Sequence, residues 1–481
     1  MVLRIIKKIF DLFRYVISII VLIGLFGCSY MVLSKTFQNE EIDEELSFHN
    51  LPENTMEAIV LGSSHAQYSF SPAFFYQETG LYSYVLGTPC QPLDASSLML
   101  KEALKTQSPK IVFLEVFTAM PLKRNCDGIS CYITAGFEMR GQERYEALKK
   151  LPEDKYETYV NPFISSHNDW RTTEITIEDA AEQIKNTIMS FGKQEEKDIS
   201  QISSLFGYHE NYPVYPVENS WYASILKDHI NVELKEEDVN ALNSIYELCQ
   251  NNNIELILFK TPIDSLDDEN LSYLNEVWKW ADETGIKYVD FINESPKIDF
   301  QMCVQSDSYH SYINGASLIT SRLANMINER QIEHISNVEL EKMYFDASNG
   351  LTVTYLEYEY DPNKYFDRLL SFKGPMLIIY NGKKCKSEKI NKFLDKYDIS
   401  SQNIVLVDGE KIIDRSDSCV GIEYNNTNIY SDFSLMEIEG NVYENDCDLK
   451  VVVFCSDMKK YYQLNTNLKT MWKNGYHTYG E

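Results

Sequence analysis

The sequence predicts an α/β protein: a parallel sheet covered by helices, preceded by a membrane-spanning helix and followed by an α+β unit. Three observations predict it. Short β-branched, apolar runs alternate with helical spacings between residues 57 and 329, the rhythm of strand–helix–strand units. Tyr15 to Ser34 carries no charge, and about 20 such residues cross a bilayer as a helix. After about residue 340 the texture changes to scattered strands and turn signals.

Arg4, Lys7, Lys8 and Arg14 flank the uncharged stretch on one side, and Glu40, Glu41, Asp43, Glu44 and Glu45 on the other. Positive charge before a span and negative charge after it predict a single-pass protein of the cell membrane, N-terminus cytoplasmic and body extracytoplasmic. A cleaved signal peptide competes, but the apolar run is long for one and no clear small-x-small site follows it. Leu25-Phe26-Gly27-Cys28 loosely resembles a lipoprotein processing site, so lipidation at Cys28 is the main alternative to an uncleaved anchor. Against it stand the bulk of Phe26 and the apolar continuation through Met31-Val32-Leu33. The expected layout is an anchor over 1–35 and a polar, solvated stalk over 36–50.

At 481 residues the chain is long enough for two or three domains. Its net charge of −28 argues against nucleic acid, whose phosphates would repel it. Ten cysteines are spread without a Cys-x-x-Cys pair, so no metal pattern is expected. Cys126 and Cys131 are close enough for a local disulfide in an oxidising compartment, with unpaired core residues the plainer reading.

Glu57 to Gly62 reads as a buried strand closed by a glycine turn, Tyr82 to Leu86 as a second closed by Gly87, and Lys110 to Glu115 as a third. Leu93 to Thr106 has helical spacing between the second and the third. From about 120 to 235 the rhythm stops; this stretch, rich in charge, Tyr and Ser, reads as a largely helical insertion over one end of the sheet. A helix near 236–252, a strand Glu255 to Phe259, a helix near 268–284, a strand Ile286 to Phe291 and a helix from Gly315 to Glu329 complete the pattern. The sheet domain is placed at 51–335. The rest, 340–481, is expected to be a separate α+β domain of unknown role, with strands at Thr352–Tyr360, Met376–Tyr380, Ile404–Val407 and Val451–Phe454 and a helix over Ser387–Lys396.

Ligands of open parallel sheets bind beyond the carboxyl ends of the strands. Ser64 follows the first strand and Gly87 the second, while Asp307 and His310 follow the last. A hydroxyl, an imidazole and a carboxylate on one rim are the minimum set for acyl transfer through a serine ester. Asp-x-x-His puts base and orienting acid on one loop. The N–H groups of Ser64 and Gly87 are candidate oxyanion donors. Each short run is weak alone: Gly-Ser-Ser is usually a turn, and Asp-x-x-His often caps a helix. His65 reads as a neighbour of the site rather than a second base.

Gly62-Ser63-Ser64 after the first strand, Gly87 after the second and Asp307-x-x-His310 before the last helix resemble the SGNH/GDSL hydrolase superfamily. More narrowly, the runs Leu61-Gly62-Ser63-Ser64-His65, Leu86-Gly87-Thr88-Pro89-Cys90-Gln91-Pro92 and Pro109-Lys110-Ile111-Val112-Phe113-Leu114-Glu115 are similar to its membrane-anchored bacterial branch, which includes the teichoic-acid D-alanyl transfer protein and cell-envelope polysaccharide O-acetyltransferases. The resemblance covers about 51–335. It implies a three-layer α/β/α, flavodoxin-like sheet with Ser64 as nucleophile, His310 as base, Asp307 as orienting acid and Gly87 as oxyanion donor. The superfamily's asparagine after the third strand is replaced by Glu115-Val116-Phe117-Thr118, and by the resemblance Gln91 supplies the missing amide; a hydrogen-bonder within its own loop is an equal reading of Gln91. His167 and Trp170 are similar to a His-x-x-Trp run of the inserted region, a candidate sugar site; a core Trp beside a surface His fits as well.

The function expected is an extracytoplasmic serine-dependent O-acyl, chiefly acetyl, transferase or esterase. Its partner would be a cell-surface glycan or acylated polymer, with a membrane-bound O-acyltransferase as a candidate acyl supplier and no cofactor. The alternative is a non-catalytic surface protein, binding polysaccharide or serving assembly, with a degenerate SGNH fold. The missing asparagine keeps that alternative open.

Overall fold

The computed structural model describes residues 2–36, 46–119, 128–137, 139–160, 181–182, 184–185, 188–189, 199–211, 230–262, 267–291, 310–327, 332–359, 362–383, 387–445, 447–459, 461–466 and 477–480. The chain divides into two compact units.

The first unit holds 1–52, 101–103 and 125–203. It contains α1 (Val2–Thr36), a helix of about 50 Å at 1.5 Å per residue. Within it Phe13–Tyr30 is apolar enough to cross a membrane, and its side chains are largely exposed. A signal sequence would form the same helix. The described part of the expected insertion is helical in short pieces: the helices within 128–159 are each ten residues or shorter, while 203–211 and 230–235 are turns and irregular chain.

The second unit holds 53–100, 104–124 and 204–481. It is built on five parallel strands, β1 (Ala58–Gly62), β2 (Ser83–Gly87), β3 (Ile111–Glu115), β4 (Glu255–Lys260) and β5 (Lys287–Asp290), in the order β2-β1-β3-β4-β5. β1 to β3 are buried along their whole length, which is why they read as continuous apolar runs rather than as alternation. β1 and β2 are in register from Ala58↔Ser83 to Gly62↔Gly87, so the two glycines end side by side.

Helix α2 (Ser64–Ser69) follows β1 directly, and α3 (Pro72–Thr79) follows α2. Ser71 caps α3, Pro72 opens it and Gly80 closes it in the left-handed region, each residue where helix ends favour it. Leu93–Ala103 forms α4. After the insertion, α8 (Glu236–Asn251) contacts β4 and α9 (Asp268–Thr284) contacts β5; the labels α5 to α7 belong to Gly128–Phe137, Gly141–Leu148 and Glu153–Tyr159. Helix α10 (Ile313–Asn325) sits against α2 and α3. Val60, Phe113, Ile257, Ile319 and Leu323 share one apolar cluster, which fixes α10 to one face of the sheet.

The edge of β2 is closed by an irregular segment. Val85 donates its N–H to Phe206 O at 3.0 Å, and Gly207 lies so close that a Cβ there would sit 2.1 Å from Val85 O.

Residues 352–358, expected as a strand, belong instead to helix α11 (Val338–Tyr358). The run Leu351-Thr-Val-Thr-Tyr-Leu has strand-like composition, but every residue in it is buried and packing overrides propensity. The Asn337 side chain starts this helix by accepting from the N–H groups of Glu339 and Leu340.

Beyond α11 come α12 (Pro362–Ser371), α13 (Glu388–Lys396) and two antiparallel sheets. Six strands, including Pro375–Tyr380, Asn403–Asp408 and Leu449–Phe454, form the larger; four strands between Cys419 and Glu444 form the smaller. Hairpins of the smaller sheet turn at Asn425-Asn426 and Glu439-Gly440, all at positive φ. This region shares an apolar cluster with Phe74, Ile313 and Ala316.

Candidate active site

The site begins with a forced turn at the end of β1. Gly62 has φ of +151°, and a Cβ on it would meet the Glu115 Cβ at 2.7 Å and the Ala66 Cβ at 3.1 Å. Only glycine fits there. Ser63 then caps α2: its hydroxyl accepts from the His65 N–H at 3.2 Å, and its carbonyl accepts from the Ala66 N–H at 2.9 Å. Ser64 is therefore the first helical residue, half-buried at the carboxyl rim of the sheet. The strand order reverses between β1 and β3, and open α/β sheets bind ligands at such a point.

His310 stands three residues before α10 and turns its Nε2 to the Ser64 Oγ at 2.8 Å. Two contacts hold its flank. The Ser311 hydroxyl meets that of Ser69, at the end of α2, at 2.8 Å, and Ile313 donates its N–H to Asn211 O at 2.9 Å. The Tyr68 ring, one turn after Ser64, lies 4.7 Å from the His310 ring. Asp307, His167 and Trp170 lie outside the described residues.

Beneath the turn, at the end of β3, the Glu115 carboxyl is completely buried. It accepts from the Ser63 hydroxyl at 3.1 Å and from the Phe117 N–H at 2.7 Å. Burial pushes its pKa up to about 8, against the pull of those donors. Phe117 stacks on His65 with ring centroids 3.4 Å apart, and His65 Nδ1 reaches the Thr261 hydroxyl at 3.0 Å. The His65 ring lies 5.3 Å from that of His310. On the open side, the His209 pKa is lowered by burial and then by the charge of His310.

Gly87 ends β2 beside the turn, where a Cβ would crowd the carbonyls of Gly62 and Ser63 at 3.1 Å. The buried Gln91 side chain points along its own loop. Its amide nitrogen donates to the Ser96 hydroxyl at 2.9 Å and to Leu86 O at 3.4 Å, and its oxygen accepts from Thr88 Oγ1 at 3.1 Å. Cys90, in the same loop, is disulfide-bonded. Cys131 is buried and is not disulfide-bonded, so the local pair with Cys126 does not form.

The structure thus brings Ser64, His310 and Gly87 to one rim. Reading the sequence alone missed Phe117, Thr261, Tyr68 and His209. Phe117 and Thr261 both follow strand ends, but neither side chain type signals a role by itself. No group of three metal-ligating side chains occurs among the described residues.

No family model matches the chain, and no curated protein matches it. Among solved structures, it is similar to a Bacteroides fragilis protein provisionally described as an acylhydrolase. The two are 13% identical with a TM-score of 0.26, over 58% of this chain and 89% of that one, a likeness too shallow to bear on chemistry.

Proposed function

We propose that this chain is an SGNH-type serine O-acyltransferase or esterase working outside the cell on a glycan or other acylated polymer of the envelope. The 2.8 Å separation of His310 Nε2 and Ser64 Oγ carries the reading, because a positioned imidazole is what makes a serine hydroxyl nucleophilic. The strand order, which is that of flavodoxin-like sheets, supports it. The disulfide at Cys90 and the apolar helix α1 fit an oxidising compartment reached across a membrane.

In this mechanism His310 takes the Ser64 proton as Oγ attacks the acyl carbonyl. The oxyanion is received by the N–H groups of Ser64 and Gly87. Collapse of the tetrahedral species breaks the ester C–O bond, and His310 returns the proton to the departing alcohol. A glycan hydroxyl or water, deprotonated by the same imidazole, then takes the acyl group from Ser64. Asp307 is assigned the orienting of His310, and His167 and Trp170 a place along the glycan. The Gln91 amide protons are engaged by Leu86 O and by the Ser96 hydroxyl of α4, so Gln91 is assigned the shaping of its loop. A membrane-bound O-acyltransferase is the proposed acyl supplier.

A fluorophosphonate probe tests the serine chemistry. The full-length protein should label, Ser64→Ala should not, and release of acetate from p-nitrophenyl acetate should disappear with it. Folded wild-type protein that takes no label would instead favour a polysaccharide-binding surface protein.

A further inference from the structure

We infer that Glu115 is the positioning residue of this nucleophile: its carboxyl holds the Gly62–Ser63 turn from below and, through Phe117, seats His65 beside the His310 imidazole. The inference rests on the reading of Ser64 as nucleophile and adds a device to it.

The geometry is specific. One carboxyl oxygen meets the Ser63 hydroxyl at 3.1 Å, and the other meets the Phe117 N–H at 2.7 Å. The Ser63 hydroxyl in turn caps the helix that begins with Ser64. The Phe117 ring is the floor on which His65 lies, and His65 is fixed at its far side by Thr261. Gly62 has given up its side chain to let the Glu115 Cβ approach. A carboxyl is an odd choice for a wholly buried place at the end of a strand, where an apolar side chain would cost nothing in desolvation. Its two oxygens reach both the helix cap and the imidazole floor, which one hydroxyl could not do.

Protonation is part of the device. A neutral carboxyl can donate as well as accept, whereas its anion would add a buried charge under the N–H groups assigned to the oxyanion, and repel it. Among the described residues no side-chain cation pairs with Glu115. Lys260, at the end of β4, is paired with Asp290 of β5 at 2.8 Å. The Tyr288 phenol of β5 is pushed up by burial, then by Asp290 and by Glu115 itself. His65, from the turn side, is committed to Thr261. Loss of the Glu115 proton should therefore slow acylation of Ser64.

The test is the single-turnover labelling rate of the full-length protein in detergent, from about pH 5.5 to 9.5. In that reaction Ser64 Oγ bonds to phosphorus, fluoride leaves, and the serine proton passes to His310. The wild-type rate should fall above about pH 8. Glu115→Gln, which keeps a similar shape and cannot ionise, should be slower by about threefold or less at pH 7 and should lack the alkaline fall. Glu115→Ala should be slower by about 100-fold, the usual cost of displacing a reacting group by about 1 Å. An alkaline fall that persists in Glu115→Gln, or a Glu115→Ala rate equal to wild type, would overturn the assignment. If wild type takes no label at Ser64, the serine reading itself fails and the inference goes with it. If Glu115→Ala does not fold, the pH profile of Glu115→Gln still decides.

Discussion

The Gln91 amide nitrogen lies 2.9 Å from the Ser96 hydroxyl, while the Gln91 carbonyl accepts from Thr118 at 2.6 Å. One residue thus ties the loop after β2 both to the helix that follows it and to the segment after β3. Gln91→Leu should cost about 2 kcal/mol in stability, since it strands buried partners. It should change the fluorophosphonate labelling rate by less than about fivefold. An oxyanion donor would show the reverse pattern, a loss of about 100-fold or more with little change in stability. Thermal melts and labelling rates on the same preparation separate the two.

Gly62→Ala should be severe. The new Cβ meets backbone-anchored atoms rather than a flexible tip, and φ of +151° is strained for alanine. A loss of about 3 kcal/mol is expected from strain and overpacking together. Chemical denaturation would measure it, and labelling of Ser64 should fall in parallel.

Glu115 also sets a pH dependence of stability. Its pKa is 4.5 as a free side chain and about 8 in the folded protein, so the folded state holds a proton that the unfolded state releases. Its contribution is complete below about pH 4.5 and declines as pH rises toward 8. Glu57, also raised by burial, acts in the same direction. The informative quantity is therefore the melting temperature of Glu115→Gln minus that of wild type, which should grow by several degrees between about pH 5 and 8. A flat difference would mean that Glu115 ionises normally.

Helix α1 should retain the protein in the membrane fraction. Its 18-residue apolar window has a mean hydropathy of 1.8 and exposes its side chains. Full-length protein should need detergent for extraction and resist high salt or alkali. A chain beginning at residue 46 should be released into solution. If the full-length chain washes off with salt, the helix does not anchor it. Intact mass of the native protein would show whether a signal peptidase had removed it.

The five-stranded sheet was largely legible, because a strand buried on both faces must be an unbroken apolar run and glycine must close it. Ser64 and His310 could be paired from their places after strands, since topology brings such positions to one rim. Phe117 and Thr261 could not, because a phenylalanine or threonine carries no chemical signal until a partner is seen against it. The helical fate of Thr352–Tyr358 was hidden for a related reason. β-branched residues are tolerated in a helical stretch such as 351–356 where every residue is buried, and that packing comes from residues far along the chain. The hairpins between Cys419 and Glu444 escaped because they mix exposed and buried positions in strands of six residues or fewer.

Gly207 occupies the one flank where β2 would otherwise present its hydrogen-bonding groups to a stranger. Open strand edges invite pairing with another molecule, and from there fibrous growth. By pressing bare backbone onto Val85 O, this glycine denies that template to neighbouring copies, so a bulkier residue there would cost the protein its solubility as much as its shape.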